Sequence, residues 1–407
     1  MLKEENKKVI IIGGGAAGFF GAIACKEANP FAEVIIIEKA RAVLAKVRVS
    51  GGGRCNVTHS CFDVTTLLKN YPRGQRELRS AFTTFQPEHT IEWFLKRGVP
   101  LKTEADGRMF PTTDSSETII NCLMSSAKQC GVQLKTECSI QEIIKTDDGF
   151  SCVCSTGETL YCDKLLIATG SQGKVHELIK NLDHTIVPPV PSLFTFNVPS
   201  SKLTDLSGIS VQKAHLKIGN TTLQQIGPLL ITHFGFSGPA VLKLSAFGAR
   251  ILSELQYKAA LHINWLPCTS HQELKNILEN HKEKNPLRLV TTDSPIDVPK
   301  NLWKKLTAEL LKANDLSKWS HVTSKQINQV VEKLKNDIYQ IDGKTTFKEE
   351  FVTCGGVSLA EVNFKTMESR IVKGLYFAGE VLDIDGITGG FNFQNAWTTS
   401  WIAGHSM

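Results

Sequence analysis

Two uninterrupted apolar runs, Val9–Ile12 and Val34–Ile37, lie near the start of the chain. Both are short and β-branched, as expected of strands buried on both faces in a parallel sheet. Between them, Ala16–Lys26 is small and apolar and ends in a cation, which predicts a helix. Residues 8–40 thus read as strand, helix, strand, followed by a glycine-rich connection over 41–60. Leu67–Gly98 and Glu117–Cys130 are helical in pattern, with a turn expected at Met109–Thr113. Val132–Thr136, Ser139–Ile144, Phe150–Ser155 and Thr159–Cys162 predict short strands, with Asp147-Asp148-Gly149 as a hairpin turn. Lys164–Ala168 predicts another buried strand, closing on Thr169-Gly170.

The pattern changes at Val187-Pro188-Pro189-Val190-Pro191. Prolines this dense disfavour helix interiors and central strands, so the segment reads as a hinge. Beyond it, Leu193–Val198, Ser210–Lys217 and Gln224–Thr232 read as sheet or barrel strands. Over 271–336 the pattern is helical, with apolar stripes at Leu274, Ile277 and Leu278 and at Ile327, Val330, Val331 and Leu334. Near Phe351 the chain returns to glycine-rich α/β sequence, and Gly374–Gly379 carries one more buried strand into a glycine turn. The expected organisation is a doubly wound nucleotide-binding domain interrupted by an insertion over about 190–345.

The first turn carries the clearest chemistry. Gly13, Gly15 and Gly18 fit G-x-G-x-x-G between strand and helix, and Glu38 ends the second strand. In that context glycines allow a tight turn, approach of a pyrophosphate and close helix–strand packing, and the acid meets a ribose diol. The helix start around Ala16 and Ala17 offers free N–H groups to phosphate. A second stretch, Gly51-Gly52-Gly53-Arg54-Cys55-Asn56, places three glycines where backbone would pass close to a ligand. Its Arg54 suits phosphate, and its Asn56 suits a ring edge or ribityl hydroxyl. In the tail, Gly379 and Glu380 follow a strand, and Gly389-Gly390 precedes a helix from Phe391, whose dipole favours negative charge. His233, within Thr232–Pro239, is a candidate proton carrier, and Cys55 a candidate nucleophile.

Composition narrows the function. The 407 residues carry a formal charge of +6 with no long basic run, which argues against nucleic acid as a partner. Eleven cysteines without a secretory leader point to free thiols in a cytoplasmic protein. The apolar start is too short and glycine-rich to span a membrane. No metal-ligand quartet, G-x-S-x-G, H-E-x-x-H or Walker sequence occurs. The absence of a second strand–G-x-G-x-x-G–helix argues against a dedicated nicotinamide domain.

Over almost its whole length the chain resembles the flavoprotein family that includes aminoacetone oxidase and proteins implicated in bile-acid dehydroxylation. The resemblance rests on Ile11–Gly18, Ser50–Thr58, Gly107–Thr113, Pro188–Leu193, Thr232–Leu242, Thr353–Ser369 and Gly374–Gly390. It implies non-covalent FAD in a glutathione-reductase-like Rossmann-type domain over 1–189 and 346–407. It also implies a β-barrel insertion over 190–270 and about 337–345, and a helical subdomain over 271–336. Carried over, Gly13–Gly18 hold the pyrophosphate and Glu38, with Lys39 beside it, the adenosine ribose. Lys46 and Gly51–Asn56 lie by phosphates and flavin, and Ile140 offers backbone to adenine. Glu380, Asp385 and Gly390–Asn392 would contact ribityl and ring, and Thr169, Gly170 and Gly389 count among the cofactor-binding residues. The chain departs from the family at Leu44 and Ala45, where glycine and a basic residue are common, and at Asn395, where tryptophan is.

The expected function is an FAD-dependent oxidoreductase acting on a small amine, ketone or enone, with NAD(P)H a possible transient donor. The alternatives are an FAD-binding redox sensor or structural protein without turnover, and a tRNA-modifying flavoprotein. Neither the substrate nor the oligomeric state is legible.

Overall fold

The two apolar runs become adjacent parallel strands at the centre of a seven-stranded sheet. The computed structural model describes residues 7–311, 317–345 and 352–407. The chain divides into two units, Met1–Val190 with Lys348–Met407, and Pro191–Phe347. The sequence-based boundary at 346 falls among residues 346–351, outside the described ones.

In the first unit the parallel strands are β1 (Lys8–Ile12), β2 (Glu33–Ile37), β3 (Gln133–Lys135), β4 (Lys164–Ile167) and β5 (Leu375–Phe377). They lie side by side in the order β3-β2-β1-β4-β5. Val362–Asn363 and Glu368–Ser369 extend the β5 edge in antiparallel sense. The chain runs outward from β1 to β3 and then returns to β4 on the other side of β1. That reversal opens a crevice beyond the carboxyl ends of β1 and β4, where open α/β sheets bind ligands. The tail strand β5 thus completes the sheet begun by Val9–Ile12.

Helix α1 (Ala16–Ala28) connects β1 to β2, and α2 (Phe391–Ser406) packs along it. Contact is close because glycines face it: a Cβ on Gly404 would lie 2.6 Å from the Ala24 Cβ, and one on Gly21 3.4 Å from the Ser400 Cβ. Eleven of the sixteen α2 residues are buried, so this helix is enclosed rather than amphipathic.

Several local expectations are corrected. Leu67–Gly98 is not one helical stretch. Helices span Val64–Leu68, Gln75–Thr84 and Pro87–Lys96, broken where Gly74 takes φ +83° and Pro87 starts a new first turn. Arg108–Pro111 is a strand rather than a turn, the middle of a small sheet with Thr58–His59 and Leu101–Thr103. The proline segment is also a strand, Ile186–Ser192, paired with Val352–Val357 in a two-stranded sheet. With a partner on one side only, it can omit ladder donors that a central strand needs.

The second unit holds a seven-stranded sheet in the order Asp337–Asp342, Lys258–Asn264, Ser210–Ile218, Gln224–Thr232, Gly235–Ser237, Thr195–Asn197, Lys344–Thr345. Helices His271–Lys284, Lys300–Leu311 and Ser324–Lys335 bury their stripes in the same core, including Leu274, Leu278, Trp303, Ile327 and Leu334. Ile277, read as part of that stripe, is 38% exposed.

Candidate functional site

The glycines after β1 do different work. Gly13 takes φ +113°, and a Cβ there would sit 2.5 Å from the Ala168 carbonyl oxygen at the end of β4. A Cβ on Gly18 would sit 1.8 Å from the Gly13 carbonyl oxygen. Both glycines are therefore required by the protein's own packing. Gly15 differs: its φ is −93°, open to any residue, and a Cβ there would meet nothing within 4 Å. The N-terminus of α1 begins at Gly15 without a side-chain cap, so Ala16 and Ala17 present their N–H groups to this open space.

Glu38 stands beside that helix start, at the end of β2. Its carboxylate accepts from the Gly14 N–H at 2.7 Å and the Ala40 N–H at 2.9 Å. These bonds fix its orientation and leave lone pairs for a diol. Lys39 is exposed beside it. Ile140 begins the strand Ile140–Lys145, pairing with Cys154, and the Cys138 N–H donates to the Glu38 carbonyl at 3.0 Å. This bond brings the Ile140 segment alongside the acid.

At the crevice mouth, Lys46 Nζ meets Glu380 Oε2 at 2.5 Å, and Glu380 Oε1 accepts from the Thr353 N–H at 3.2 Å. Gly170, at φ +66° after Thr169, lies beneath this pair: a Cβ there would be 3.5 Å from Glu380 Oε2. Gly379 lies between the two helices, its N–H donating to Thr399 Oγ1 at 2.9 Å. Gly51, Gly52 and Gly53 all have positive φ, and a Cβ on either of the last two would meet nothing within 4 Å.

Four polar side chains read as ligand contacts are engaged by the protein itself. The Arg54 guanidinium meets Glu104 at 2.6 Å and Asp114 at 3.6 Å, and lies over the Phe110 ring. The Asn56 amide donates to the Thr58 and Met109 carbonyls and accepts from the Gly390 N–H at 2.9 Å. Asp385 is fully buried against Arg73 in a two-pronged ion pair. Asn392 closes the loop before α2, accepting from the Gly386 N–H at 2.8 Å and donating to its carbonyl at 2.9 Å.

The two chemical candidates fare differently. Cys55 is completely buried, and burial pushes its thiol up to about 12, which leaves it protonated and unreactive. His233 lies exposed in the turn between Gln224–Thr232 and Gly235–Ser237, with Phe234 beside it.

Sequence reasoning missed Arg73, Thr353 and His59. His59 stacks on Phe391 at the start of α2 with ring centroids 4.8 Å apart, and Nε2 lies 3.1 Å from the Asp106 carbonyl oxygen. Burial lowers its pKa and leaves Nδ1 without a partner. The one sequence signal was its place directly after the Gly51–Asn56 stretch.

FAD fits this arrangement. The α1 start provides open space and N–H donors, and Glu38 is tied to the Gly14 N–H of the same turn. A second uncapped helix start, at Gly390, would receive the ring end. Among the described residues no cluster suits a metal, and no helix is long and apolar enough to cross a membrane.

The model of the family described as HI0933-like protein Rossmann domain matches residues 7–406. A 3-dehydro-bile acid Δ4,6-reductase of Clostridium scindens is 27% identical over 401 residues, covering 96% of each chain. A ribosomal RNA dihydrouridine synthase of Escherichia coli is 28% identical over 408 residues, again covering 96% of each. Among solved structures, a 3-ketosteroid Δ4-(5α)-dehydrogenase of Rhodococcus jostii shares the fold at TM-score 0.53 and 13% identity, covering 100% of this chain and 99% of that one. The chain belongs to the HI0933-like Rossmann family.

Proposed function

We propose that this protein uses FAD to saturate a carbon–carbon double bond conjugated with a carbonyl. The observation that carries the reading is the pair of uncapped helix N-termini at Gly15 and Gly390, within one unit and joined by Glu38 and the crevice between β1 and β4. When bound, FAD supplies the hydride that this reduction requires. The chain's residues bind and orient it. The α1 N–H groups of Ala16 and Ala17 hold the pyrophosphate, and Glu38 accepts from the adenosine ribose. The backbone of Gly51–Gly53 offers a close approach, and the Phe391 end of α2 favours negative charge on the reduced ring. Lys46, paired with Glu380, is the cation nearest the crevice mouth and is free to turn towards phosphate.

The choice of bond is supported by the relatives' names. Removing Δ4 and Δ6 unsaturation from a 3-oxo bile acid and making dihydrouridine from uridine both saturate an alkene conjugated with a carbonyl. We take a small enone as the substrate and NAD(P)H as a transient donor, with no nicotinamide domain of its own. The eleven cysteines form no disulfide with one another, which supports a reducing compartment such as the cytoplasm.

A uridine in RNA is the second reading, and one observation favours it. Residues 191–347 hold 19 Lys and Arg against 12 Asp and Glu, a formal charge of +7, while the rest holds 27 against 28. The modest overall charge therefore conceals a basic unit.

The test is anaerobic. The flavin is reduced, then mixed with a Δ4-3-ketosteroid, with cyclohexenone, or with a uridine-containing ribosomal RNA transcript. Return of the oxidised flavin band together with a product carrying two more hydrogens supports the reading. Reoxidation by oxygen alone, with every alkene left intact, overturns it.

A further inference from the structure

We propose that the outward face of the strand Ser210–Ile218, with its neighbour Lys258–Asn264, docks the phosphate backbone of an RNA. This deepens the second reading above and depends on it. From Ala214 onward the strand alternates: Ala214, Leu216 and Ile218 are buried in the unit's core, while His215 and Lys217 point away from it, and Lys213 is exposed next to Gln212 where the pairing shifts register between Val211 and Ala214. Outward side chains on one strand recur about every 6.7 Å, close to the step between successive phosphates on an extended nucleic-acid strand. Lys213 and Lys217 are both exposed, and neither enters an ion pair among the described residues. Most other cations of this unit are already engaged. Lys202 pairs with Glu309, Lys305 with Asp205 and Lys333 with Asp337, while Lys335 is held by the Leu266 and Thr269 carbonyls.

The neighbouring strands add neutral polar groups to this face, and also two exposed isoleucines, Ile226 opposite His215 and Ile338 opposite His262. Lys217 lies opposite His262 on one side and Gln224 on the other, and His215 lies opposite Asn264. His215 is tied to Gln224 at 2.9 Å and His262 to Asn336 at 2.8 Å, so the imidazoles are fixed rather than mobile. The acid at the far end of this sheet, Asp342, is paired with Lys258 at 3.3 Å. Two free lysines flank fixed rings and amides, with no unpaired acid among the residues facing them. That is an electrostatic track with hydrogen-bonding groups for bases or 2′-hydroxyls. An anionic membrane would also attract lysines, and binding to anionic vesicles rather than to RNA is the outcome that would assign the face to it.

The test uses the full FAD-loaded chain and a fluorescein-labelled ribosomal RNA hairpin in anisotropy titrations at several salt concentrations. Lys213→Glu/Lys217→Glu is compared with Lys69→Glu/Lys128→Glu, an equal charge change on exposed positions of the first unit. The first pair should weaken binding at least tenfold. It should also lower the slope of log affinity against log salt by about 1.4–1.8, the loss of two phosphate contacts. The control pair should change affinity less than twofold. Should the glutamate pair fail to fold, as judged by flavin content, Lys213→Gln/Lys217→Gln serves instead. Equal losses in both pairs, or none in the first, overturn this surface while leaving the RNA reading intact. A wild-type protein that binds phosphatidylglycerol vesicles but not the hairpin overturns both, and neither result bears on the alkene chemistry.

Discussion

Replacing Gly15 and Gly18 separately should divide one motif into two functions. In Gly18→Ala the new methyl would lie 1.8 Å from the Gly13 carbonyl oxygen, a backbone atom that cannot rotate aside. Gly13 has little room to retreat either, since even a Cβ on it would lie 2.5 Å from the Ala168 carbonyl oxygen. Elsewhere in a helix the change would stabilise by about 1 kcal/mol through propensity. Here overpacking costs about 1–3 kcal/mol or more and falls on the central strand, so the apoprotein should lose about 2 kcal/mol net. Against a typical total of about 5–15 kcal/mol this is a large displacement of the urea midpoint. Gly15→Val introduces more atoms but meets no protein atom near Cβ, at a φ that valine tolerates. Its structural cost is the weaker N-cap, about 1 kcal/mol. Its functional cost is the space a pyrophosphate needs. A steric penalty of about 1–3 kcal/mol corresponds to roughly 5- to 150-fold weaker FAD binding. Urea denaturation of the two apoproteins, beside flavin-fluorescence titrations, reads both quantities. A Gly15→Val protein that is folded and binds FAD like the wild type would refute the placement of the cofactor.

Three further outcomes follow from the packing. Arg73→Ala removes the two-pronged cationic partner of the fully buried Asp385 carboxylate and should destabilise by about 3–5 kcal/mol in chemical denaturation, while Arg73→Ala/Asp385→Ala should recover part of that loss. Asn395→Leu should stabilise by about 1–2 kcal/mol, because it removes a buried amide oxygen that has no partner; a lower midpoint would show that the oxygen is satisfied by water. Burial lowers the pKa of His59, His176 and His184, so below the unfolded value of about 6.5 the unfolded chain binds more protons than the folded one. Stability should therefore be full at pH 7.5 and fall as pH drops through 6.5, and a urea midpoint that is level between pH 7.5 and 5.5 would contradict this.

The legible parts of the fold were those whose signals are local. Val9–Ile12, Gly13–Gly18 and Val34–Glu38 declare a strand, turn, helix and strand within thirty residues, and the sheet is built from them. The tail strand Leu375–Phe377 was equally readable as an apolar run. Its place beside β4 followed from the need for more strands. The proline segment was legible as the place where the chain divides, between Val190 and Pro191, but not as the strand Ile186–Ser192, because the rule against proline applies to strands with two neighbours and this one has a single neighbour. Polar partnerships were not legible, since nothing near Asp385 in the sequence announces Arg73, 312 residues away. The charge of the whole chain hides a local difference, because the sum averages a basic unit with a near-neutral one.

The site also shows why a motif's polar residues need not be its contacts. Asn56 holds the Gly390 N–H, Asn392 holds both polar groups of Gly386, and Arg73 holds Asp385 within the same loop. All three anchor the segment that delivers the first turn of α2. What remains for the cofactor is largely backbone, together with Glu38 and the Lys46–Glu380 pair. Backbone donors cannot be tuned by substitution, so their value depends on being held in place before the ligand arrives. On this view Asn56 and Asn392 act on FAD through a shared loop rather than through separate hydrogen bonds. Either alanine substitution should loosen the Gly386–Gly390 loop, after which the second has less left to disturb. A double-mutant cycle on FAD affinity should therefore show a coupling of about 0.5–3 kcal/mol, with the double variant better than the sum of the singles. Independent direct contacts would add within about 0.5 kcal/mol, and that additivity would return both amides to the role their sequence motifs first suggested.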